Sequence, residues 1–127
     1  MVASDPSFEK IVVQVSDGRV SSSIAALRNT ENILKETKSG KINLEVRIVV
    51  FGDALKNFTK KDSKDMSKLV QSLRTNSNSN IKFFACENSL KRLKLSATDL
   101  LEDFELVPSG AWETVRLQKV GFTYFHP

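Results

Sequence analysis

The feature that most constrains the fold of this chain is a regular alternation between short apolar runs and segments with helical spacing. The apolar runs are rich in β-branched or aromatic residues and are bounded by Gly, Pro, Ser or Asp, which is typical of buried strands. We predict five strands, at residues 8–15, 44–51, 81–85, 104–107 and 122–125.

The segments between these strands favour helices. The clearest case is the set Met66, Leu69, Val70 and Leu73, which fall at positions i, i+3, i+4 and i+7. Capping and stop residues then bound the helices. Six helices are predicted. The first runs from the serines at 21–23 to a stop at 39–40, the second covers 54–58, the third follows a cap at 62–63, the fourth covers 88–93, the fifth starts at 96–99 and the sixth covers 111–120. The polar tract 75–80 is interpreted as a loop.

Strands that alternate with helices build right-handed βαβ units and a parallel sheet. We therefore predict an α/β fold with three α/β/α layers around a mostly parallel five-stranded sheet. The length of 127 residues suits one compact core, so residues 1–127 are predicted to form a single domain.

Charge is spread along the chain instead of being concentrated. The chain has nineteen Lys and Arg residues and fifteen Asp and Glu residues, which gives a net charge of +4, and the two signs are mixed along the sequence. We interpret this as a solvated surface and expect no nucleic-acid partner. Residues 1–6 lack the pattern of a signal peptide, and no apolar run approaches the roughly 18 residues of a spanning helix. We expect a cytoplasmic protein without membrane contact, in agreement with its single cysteine.

The loops that follow the strands of a parallel sheet open at one edge, where ligand sites in such sheets concentrate. Four predicted strand-to-helix loops meet at this edge. They are residues 16–19, 51–53, 86–88 and 108–110.

Cys86, the only cysteine, lies in one of these loops, just before a predicted helix. A helix N-terminus, the open amides around Asn88 and Ser89 and the basic pair Lys91-Arg92 all favour its reactive thiolate form. Glu87 opposes that form by charge repulsion. The alternative is an inert cysteine that ends a buried strand, because free cysteines are among the most buried residue types.

Other chemistries lack the residues that they need. One His and one Cys, 40 positions apart, cannot form a zinc site of Cys and His ligands, and neither Gly-rich phosphate motif occurs, so we expect no cofactor and no metal. A dyad of Cys86 with the penultimate His126 and an anion at a helix N-terminus are further alternatives. The aromatic residues near the end of the chain are interpreted as core or subunit interface: Trp112, Phe122, Tyr124 and Phe125.

Four segments, taken in order, resemble the DsrE/DsrF-like proteins, the small α/β subunits of sulfur-relay systems, and within them the YchN-like group. The segments are 26–34, 46–52, 84–90 and 107–127. The resemblance covers nearly the whole chain and implies a three-layer domain with a five-stranded parallel sheet.

In family members that carry sulfur, a cysteine takes sulfane sulfur from a donor protein as a persulfide and passes it to an acceptor. Cys86 matches the cysteine of the C-x-N-[ST]-L pattern of the YchN-like group. The resemblance implies that Asn88 and Ser89 cap the following helix and offer hydrogen-bond donors near the persulfide. One cysteine suffices for this chemistry, because the other thiols belong to the partners.

The resemblance also implies binding positions and partners. Asn29, Asn32 and Gly52 match family positions, although the two asparagines are equally well explained as orienting the first helix or lining a subunit contact. The implied partners are a rhodanese-like or desulfurase donor and a TusA-like acceptor, and family members are commonly homotrimers or homohexamers. Phe51 stands where relatives often have a polar residue or histidine, which makes that side of the pocket more apolar.

Three hypotheses remain open from the sequence. The first is a sulfur-trafficking protein that carries a persulfide or thiosulfonate on Cys86. The second is a non-catalytic module that binds a small ligand or anion at the same edge, with an inert cysteine. The third is a structural subunit that scaffolds a partner.

Overall fold

The computed structural model describes residues 8–39, 42–61, 64–76 and 81–127. Five strands alternate with helical segments along these residues. In chain order they are β1 (Phe8–Val15), α1 (Val20–Ser39), β2 (Asn43–Val50), a 3₁₀ helix (Gly52–Phe58), α2 (Lys64–Asn76), β3 (Ile81–Cys86), α3 (Glu87–Leu93), a 3₁₀ turn (Ala97–Asp99), β4 (Phe104–Val107), α4 (Gly110–Lys119) and β5 (Thr123–Phe125).

The five strands form one sheet with the order β4-β3-β2-β1-β5. All four neighbouring pairs are parallel, with Val50 beside Ala85 and Cys86 beside Val107 at the carboxyl ends of β2, β3 and β4. The predicted α/β class with a five-stranded parallel sheet is thus confirmed.

Each face of the sheet has its own hydrophobic core. On one face, α1, α2 and α3 bury residues such as Leu27, Met66, Leu73 and Leu90 against the sheet, with Phe58 of the 3₁₀ helix. On the other face a smaller cluster holds Leu117 of α4 with Phe122, packed against Val12, Val49, Phe84 and Val107. The sheet therefore has helices on both faces, which completes the predicted three layers.

The two cores show where the chain changes face. The helix that follows β3 packs on the first face, whereas the helix that follows β4 packs on the second. Because β3 and β4 are neighbours, the chain leaves them toward opposite faces, and such a switch point is where ligands of open α/β sheets bind. Cys86 is the last residue of β3 and lies at this switch point.

The structure corrects some details of the sequence prediction. The polar tract predicted as a loop from residue 75 begins inside α2, which continues to Asn76, since helices tolerate polar residues on a solvated face. Helix α1 begins at Val20, so the serines at 21–23 lie in its first turn and do not precede it. Trp112, interpreted as core or interface, is 56 % exposed and is no core residue. The predicted cap at 62–63 and the stop at Gly40 lie outside the described residues.

Candidate functional site

The loops after β1, β2, β3 and β4 meet at the carboxyl edge of the sheet, as parallel strands require. Three of them surround Cys86: the loop after β2 contributes Phe51 and Gly52, the start of α3 contributes Asn88 and Ser89, and the loop after β4 leads into α4. This is the edge that the strand alternation predicts as the site.

Cys86 is the N-cap of α3. Its backbone is extended, with φ −78° and ψ 117°, and its Sγ accepts a hydrogen bond from the Ser89 backbone N–H at 3.4 Å. A helix start leaves several N–H groups without intrahelical partners, and a side-chain acceptor at the cap satisfies one of them. The sulfur takes the place that an oxygen of Ser, Thr or Asp usually occupies. The expectation that Asn88 and Ser89 cap the helix is therefore wrong, because both lie inside its first turn.

Ser89 connects the sulfur to the loop after β2. Its Oγ accepts the Gly52 backbone N–H at 2.8 Å, while its own backbone N–H donates to Cys86 Sγ. Gly52 adopts a φ of +62°, a left-handed conformation that glycine reaches at no steric cost. The turn at Gly52 thus holds the Ser89 hydroxyl, and the predicted site residues Gly52, Ser89 and Cys86 are in one hydrogen-bonded chain.

The pKa of the Cys86 thiol is set by burial and by the donors around it, among which the Asn88 backbone N–H also donates to the Pro108 carbonyl oxygen at 3.3 Å. Burial raises the pKa of the Cys86 thiol, but hydrogen bonds from the Ser89 hydroxyl and from the amides of Gly110, Ser89 and Asn88 lower it, and the net shift is downward. Donors of this kind stabilise the charged form of an acid. When the thiol is protonated, its nearest acceptor is the Pro108 carbonyl oxygen, at 4.0 Å from Sγ.

The charged side chains that the sequence places near Cys86 have other roles. Arg92 forms an ion pair with Asp53, with Nη2 3.0 Å from Oδ1, and both side chains are exposed. The main causes of the lowered Cys86 pKa are hydrogen bonds from α3 and from the start of α4, and neither Lys91 nor Arg92 is among them. Local hydrogen-bond donors therefore replace the electropositive surroundings that the sequence suggests.

Access to the sulfur is narrow. Cys86 is 4 % exposed, and the register that pairs Val50 with Ala85 brings the next residues of the two strands, Phe51 and Cys86, side by side. Phe51 packs against both hydrophobic cores and touches Gly110 so closely that a Cβ added there would lie 2.6 Å from Phe51 Cβ. The thiol is thus buried, and neighbouring donors lower its pKa.

Two predicted site residues lie elsewhere. Asn29 and Asn32 are exposed on the outer side of α1, one turn apart, while the buried Ala26 and Thr30 of the same helix face the sheet. Helix α1 packs against β1, β2, the 3₁₀ helix and α2. Neither asparagine is among the groups that surround Cys86 in the structure.

A dyad of Cys86 with His126 is contradicted by the sheet order. Three strand positions separate β3 from β5, which at the usual spacing is about 14 Å. His126 instead lines a very small cavity at the end of β1, together with Gln14, Ser16 and Asp17.

A cavity with a volume of about 540 Å³ lies away from Cys86. It runs along α2, where Lys64, Gln71 and Arg74 face Leu101 and Asp103. The Arg74 guanidinium at its end donates to the carbonyl oxygens of Glu102 and Asp103 at 2.8 and 2.9 Å. This cavity contributes nothing to the thiol site.

Two further kinds of site are absent from the described parts of the chain. Within those residues, no group of three or more His, Cys, Asp or Glu side chains is placed to hold a metal ion. No helix there combines the length and the apolar character needed to cross a bilayer.

Sequence reasoning missed the role of Gly110 as a donor to the sulfur. The available signal was a glycine at the first position of a helix, after the Pro108-Ser109 turn and next to a bulky residue in a neighbouring loop. Only the packing of α4 on the second face of the sheet shows that its first amide reaches a cysteine of β3.

Comparisons with known proteins agree with this architecture. The structure of a protein of unknown function, MTH1491 from Methanobacterium thermoautotrophicum, has a TM-score of 0.81 and 22 % identity, covering 94 % of this chain and 99 % of that one. The crystal structure of the ychN protein from E. coli has a TM-score of 0.74 and 14 % identity, with coverages of 94 % and 99 %. At these identities the likeness shows the fold alone.

Sequence comparison extends the likeness from fold to family. No significant match was found among curated proteins. The sequence model of the DsrE/DsrF-like family, however, matches residues 9–127, nearly the whole chain. The protein therefore belongs to the DsrE/DsrF-like family.

Proposed function

We propose that this protein is a sulfur-trafficking protein that carries sulfane sulfur as a persulfide on Cys86. The observation that carries the proposal is the position of Cys86 as the N-cap of α3, where its Sγ accepts the Ser89 backbone N–H at 3.4 Å and the Ser89 side chain is held by the Gly52 amide. A thiolate is the nucleophile in sulfur exchange, and donors that lower the thiol pKa increase its population near neutral pH. Membership of the DsrE/DsrF-like family supports the same chemistry.

The proposed transfer is an exchange of sulfur without net oxidation or reduction. The Cys86 thiolate attacks the outer sulfur of a donor R–S–SH, a new S–S bond forms to Cys86, and the S–S bond of the donor breaks. The products are Cys86–S–SH and the thiolate R–S⁻, which leaves with the electron pair. Delivery to an acceptor thiolate is the same reaction in reverse.

The donors near Cys86 favour negative charge on its sulfur both before sulfur is loaded and while sulfur is delivered. The Ser89 hydroxyl and the Gly110 amide stabilise negative charge on the free thiolate and on the same sulfur when it leaves during delivery. The Gly52 amide holds the Ser89 oxygen in place, so this donor needs no reorganisation. The enclosed position of Cys86 would shield a bound persulfide from unrelated thiols.

The partners proposed for this carrier are proteins of the cytoplasm. A rhodanese-like or desulfurase protein is the proposed donor and a TusA-like protein the proposed acceptor. We also propose a homotrimer or homohexamer, for which the exposed apolar side chains of α4, Trp112 and Val115, offer contact surface.

Intact-mass spectrometry tests the carrier function. The folded protein is incubated with a sulfane-sulfur donor, and the expected product is a mass increase of one sulfur, about 32 Da, that a thiol reductant reverses. The Cys86→Ser variant is the control and should gain no mass. Folded protein that stays unmodified under conditions that label a model thiol would refute the carrier function.

A second candidate function is a ligand-binding module with an inert cysteine, and the 4 % exposure of Cys86 is the observation that favours it. The two candidates predict different reactivity. An inert cysteine reacts with a maleimide only as fast as the protein unfolds, and Cys86→Ser then leaves function intact. A carrier thiol reacts with a small disulfide or persulfide reagent in the folded state.

A further inference from the structure

The route to Cys86 leads past one side chain. Three neighbouring strands end at Val50, Cys86 and Val107; Phe51 directly follows Val50, and Gly110, the first residue of α4, lies against Phe51. Val107 is buried, whereas Phe51 is half-buried and is the only one of these residues that packs against both hydrophobic cores. The Phe51 side chain thus contacts Gly110, a neighbour of Cys86, and is itself partly open to solvent.

Phe51 and Gly110, from the connections after β2 and β4, are in contact beside the carboxyl end of β3, the strand between them. Neighbouring loops that leave a sheet toward opposite faces open a cleft, and ligands of α/β proteins bind in such clefts. In this protein Phe51 follows β2 and Gly110 begins the helix after β4, and the Phe51 Cβ, Cγ and Cδ1 would lie 2.6 to 2.8 Å from a Cβ added at Gly110. Consequently Cys86 has hydrogen-bond donors around it and little open surface.

We propose that Phe51 is a specificity-determining residue, which restricts Cys86 to donors whose reactive sulfur stands at a slender, unbranched end, such as a hydropolysulfide or an alkyl hydropersulfide. The inference rests on the proposed carrier function and names the substrate class of the same site. A terminal sulfur is two-coordinate and fits a passage that excludes rings and branched groups. For hydrogen disulfide, the Cys86 thiolate takes the outer sulfur to form Cys86–S–SH, and HS⁻ leaves.

Two methanethiosulfonates that differ only in the transferred group measure this restriction. The methyl and benzyl reagents react with a thiolate by the same step, which forms a mixed disulfide and releases methanesulfinate. Their second-order rates with folded protein are each divided by the rates with urea-unfolded protein. We expect the wild type to favour methyl over benzyl by at least about 100-fold, because a close-packed site admits a ring only after local opening.

The Phe51→Ala variant should lower this methyl-to-benzyl ratio by about tenfold or more, since the ring that packs beside Gly110 is absent. Phe51→Leu, which keeps an apolar side chain, should give an intermediate ratio and serves if the alanine variant does not fold. Phe125→Ala is the matched control: this half-buried phenylalanine of β5 packs against the first core, far from Cys86, and its loss should leave the ratio unchanged.

The outcomes separate this inference from the carrier function on which it rests. An unchanged ratio in both Phe51 variants, or an equal fall in Phe125→Ala, overturns the role of Phe51. Persulfide formation is measured separately, with disodium disulfide as the sulfur source and intact mass as the readout. A ratio that falls in Phe51→Ala while wild type gains no sulfur keeps the access role of Phe51 and refutes the carrier function.

Discussion

The Cys86 sulfur has two structural roles. It caps α3, and it ends a chain of hydrogen bonds that starts at the Gly52 amide and passes through Ser89. Sulfur is a weaker acceptor than oxygen, so a cysteine is an unusual cap. As a thiolate, however, it accepts hydrogen bonds strongly, since charge-assisted hydrogen bonds are the stronger kind. The geometry of the helix start is therefore better satisfied by the charged form of this residue than by the neutral one.

The variant Ser89→Ala tests whether the Ser89 hydroxyl stabilises the Cys86 thiolate. The Cys86 pKa in the folded protein is lowered, so the thiolate is present at a lower pH than in a free thiol and is lost as the pH falls through the folded pKa. In Ser89→Ala the pKa should rise, and the midpoint of the rate–pH profile with methyl methanethiosulfonate should move to higher pH. The stranded Gly52 amide should also cost about 1–3 kcal/mol in the free energy of urea unfolding.

The matched control for that change is Ser89→Thr, which keeps the hydroxyl and occurs in the C-x-N-[ST]-L pattern. It should retain the midpoint of the wild type. Equal midpoints for wild type and Ser89→Ala would mean that the Ser89 hydroxyl does not stabilise the thiolate.

At the scale of elements, helix α4 starts at a contact between Gly110 and Phe51 that leaves no room for a side chain at position 110. Gly110 begins the helix directly against Phe51, and Ser109 caps it by accepting the Trp112 N–H at 3.2 Å. Because the Gly110 amide also reaches Cys86, any displacement of this helix start moves a donor away from the sulfur. The packing of one element thus governs the surroundings of a residue on another.

A double-mutant cycle tests this packing. Gly110→Ala should destabilise the protein by about 1–3 kcal/mol in urea unfolding, because the new Cβ overlaps the Phe51 side chain and overpacking is costly. In a Phe51→Ala background the same change should cost nothing or stabilise slightly, since alanine is a better helix former than glycine. Equal effects of Gly110→Ala in the two backgrounds would show that Phe51 is not the obstacle.

Strand and helix prediction succeeded where one local rule dominates. The β-branched run of β1 and the apolar run of β4 were predicted with the bounds that the structure has, Phe8–Val15 and Phe104–Val107, because both are flanked by strong turn residues. The capping box of Ser96 and Asp99 is also present, at a 3₁₀ turn. The end of α2 was missed, since polar residues at 75–76 continue a helix once its apolar face is packed.

At the scale of the whole molecule, the smaller second core leaves apolar side chains of α4 exposed. Trp112 and Val115, at 56 % and 42 % exposure, lie three residues apart and therefore on one side of the helix. The ammonium group of Lys119 lies 5.1 Å from the centre of the Trp112 ring. An exposed tryptophan beside another apolar residue is typical of a contact surface.

The proposed homo-oligomer gives a prediction for this surface. Trp112→Glu should lower the mass in solution, measured by sedimentation velocity, to that of a smaller species, because a carboxylate in an apolar contact is not compensated. Ala25→Glu, which introduces the same charge on the exposed side of α1, is the matched control and should leave the assembly unchanged. A wild-type protein that sediments as a monomer, or equal behaviour of both variants, contradicts an interface at Trp112.

The sequence alone determined the class of fold, the number of strands and the edge at which a site would lie, because these follow from local periodicity and from the direction that parallel strands share. Tertiary structure alone decided which residues meet Cys86. The Gly52 amide reaches Ser89 across 37 positions, and Gly110 reaches the sulfur because α4 crosses to the other face of the sheet. Such contacts join distant parts of the chain through packing, which no local pattern records. Asn29 and Asn32 were therefore predicted as binding residues, whereas Gly110, although placed at this edge by the sequence, was not predicted to act on Cys86.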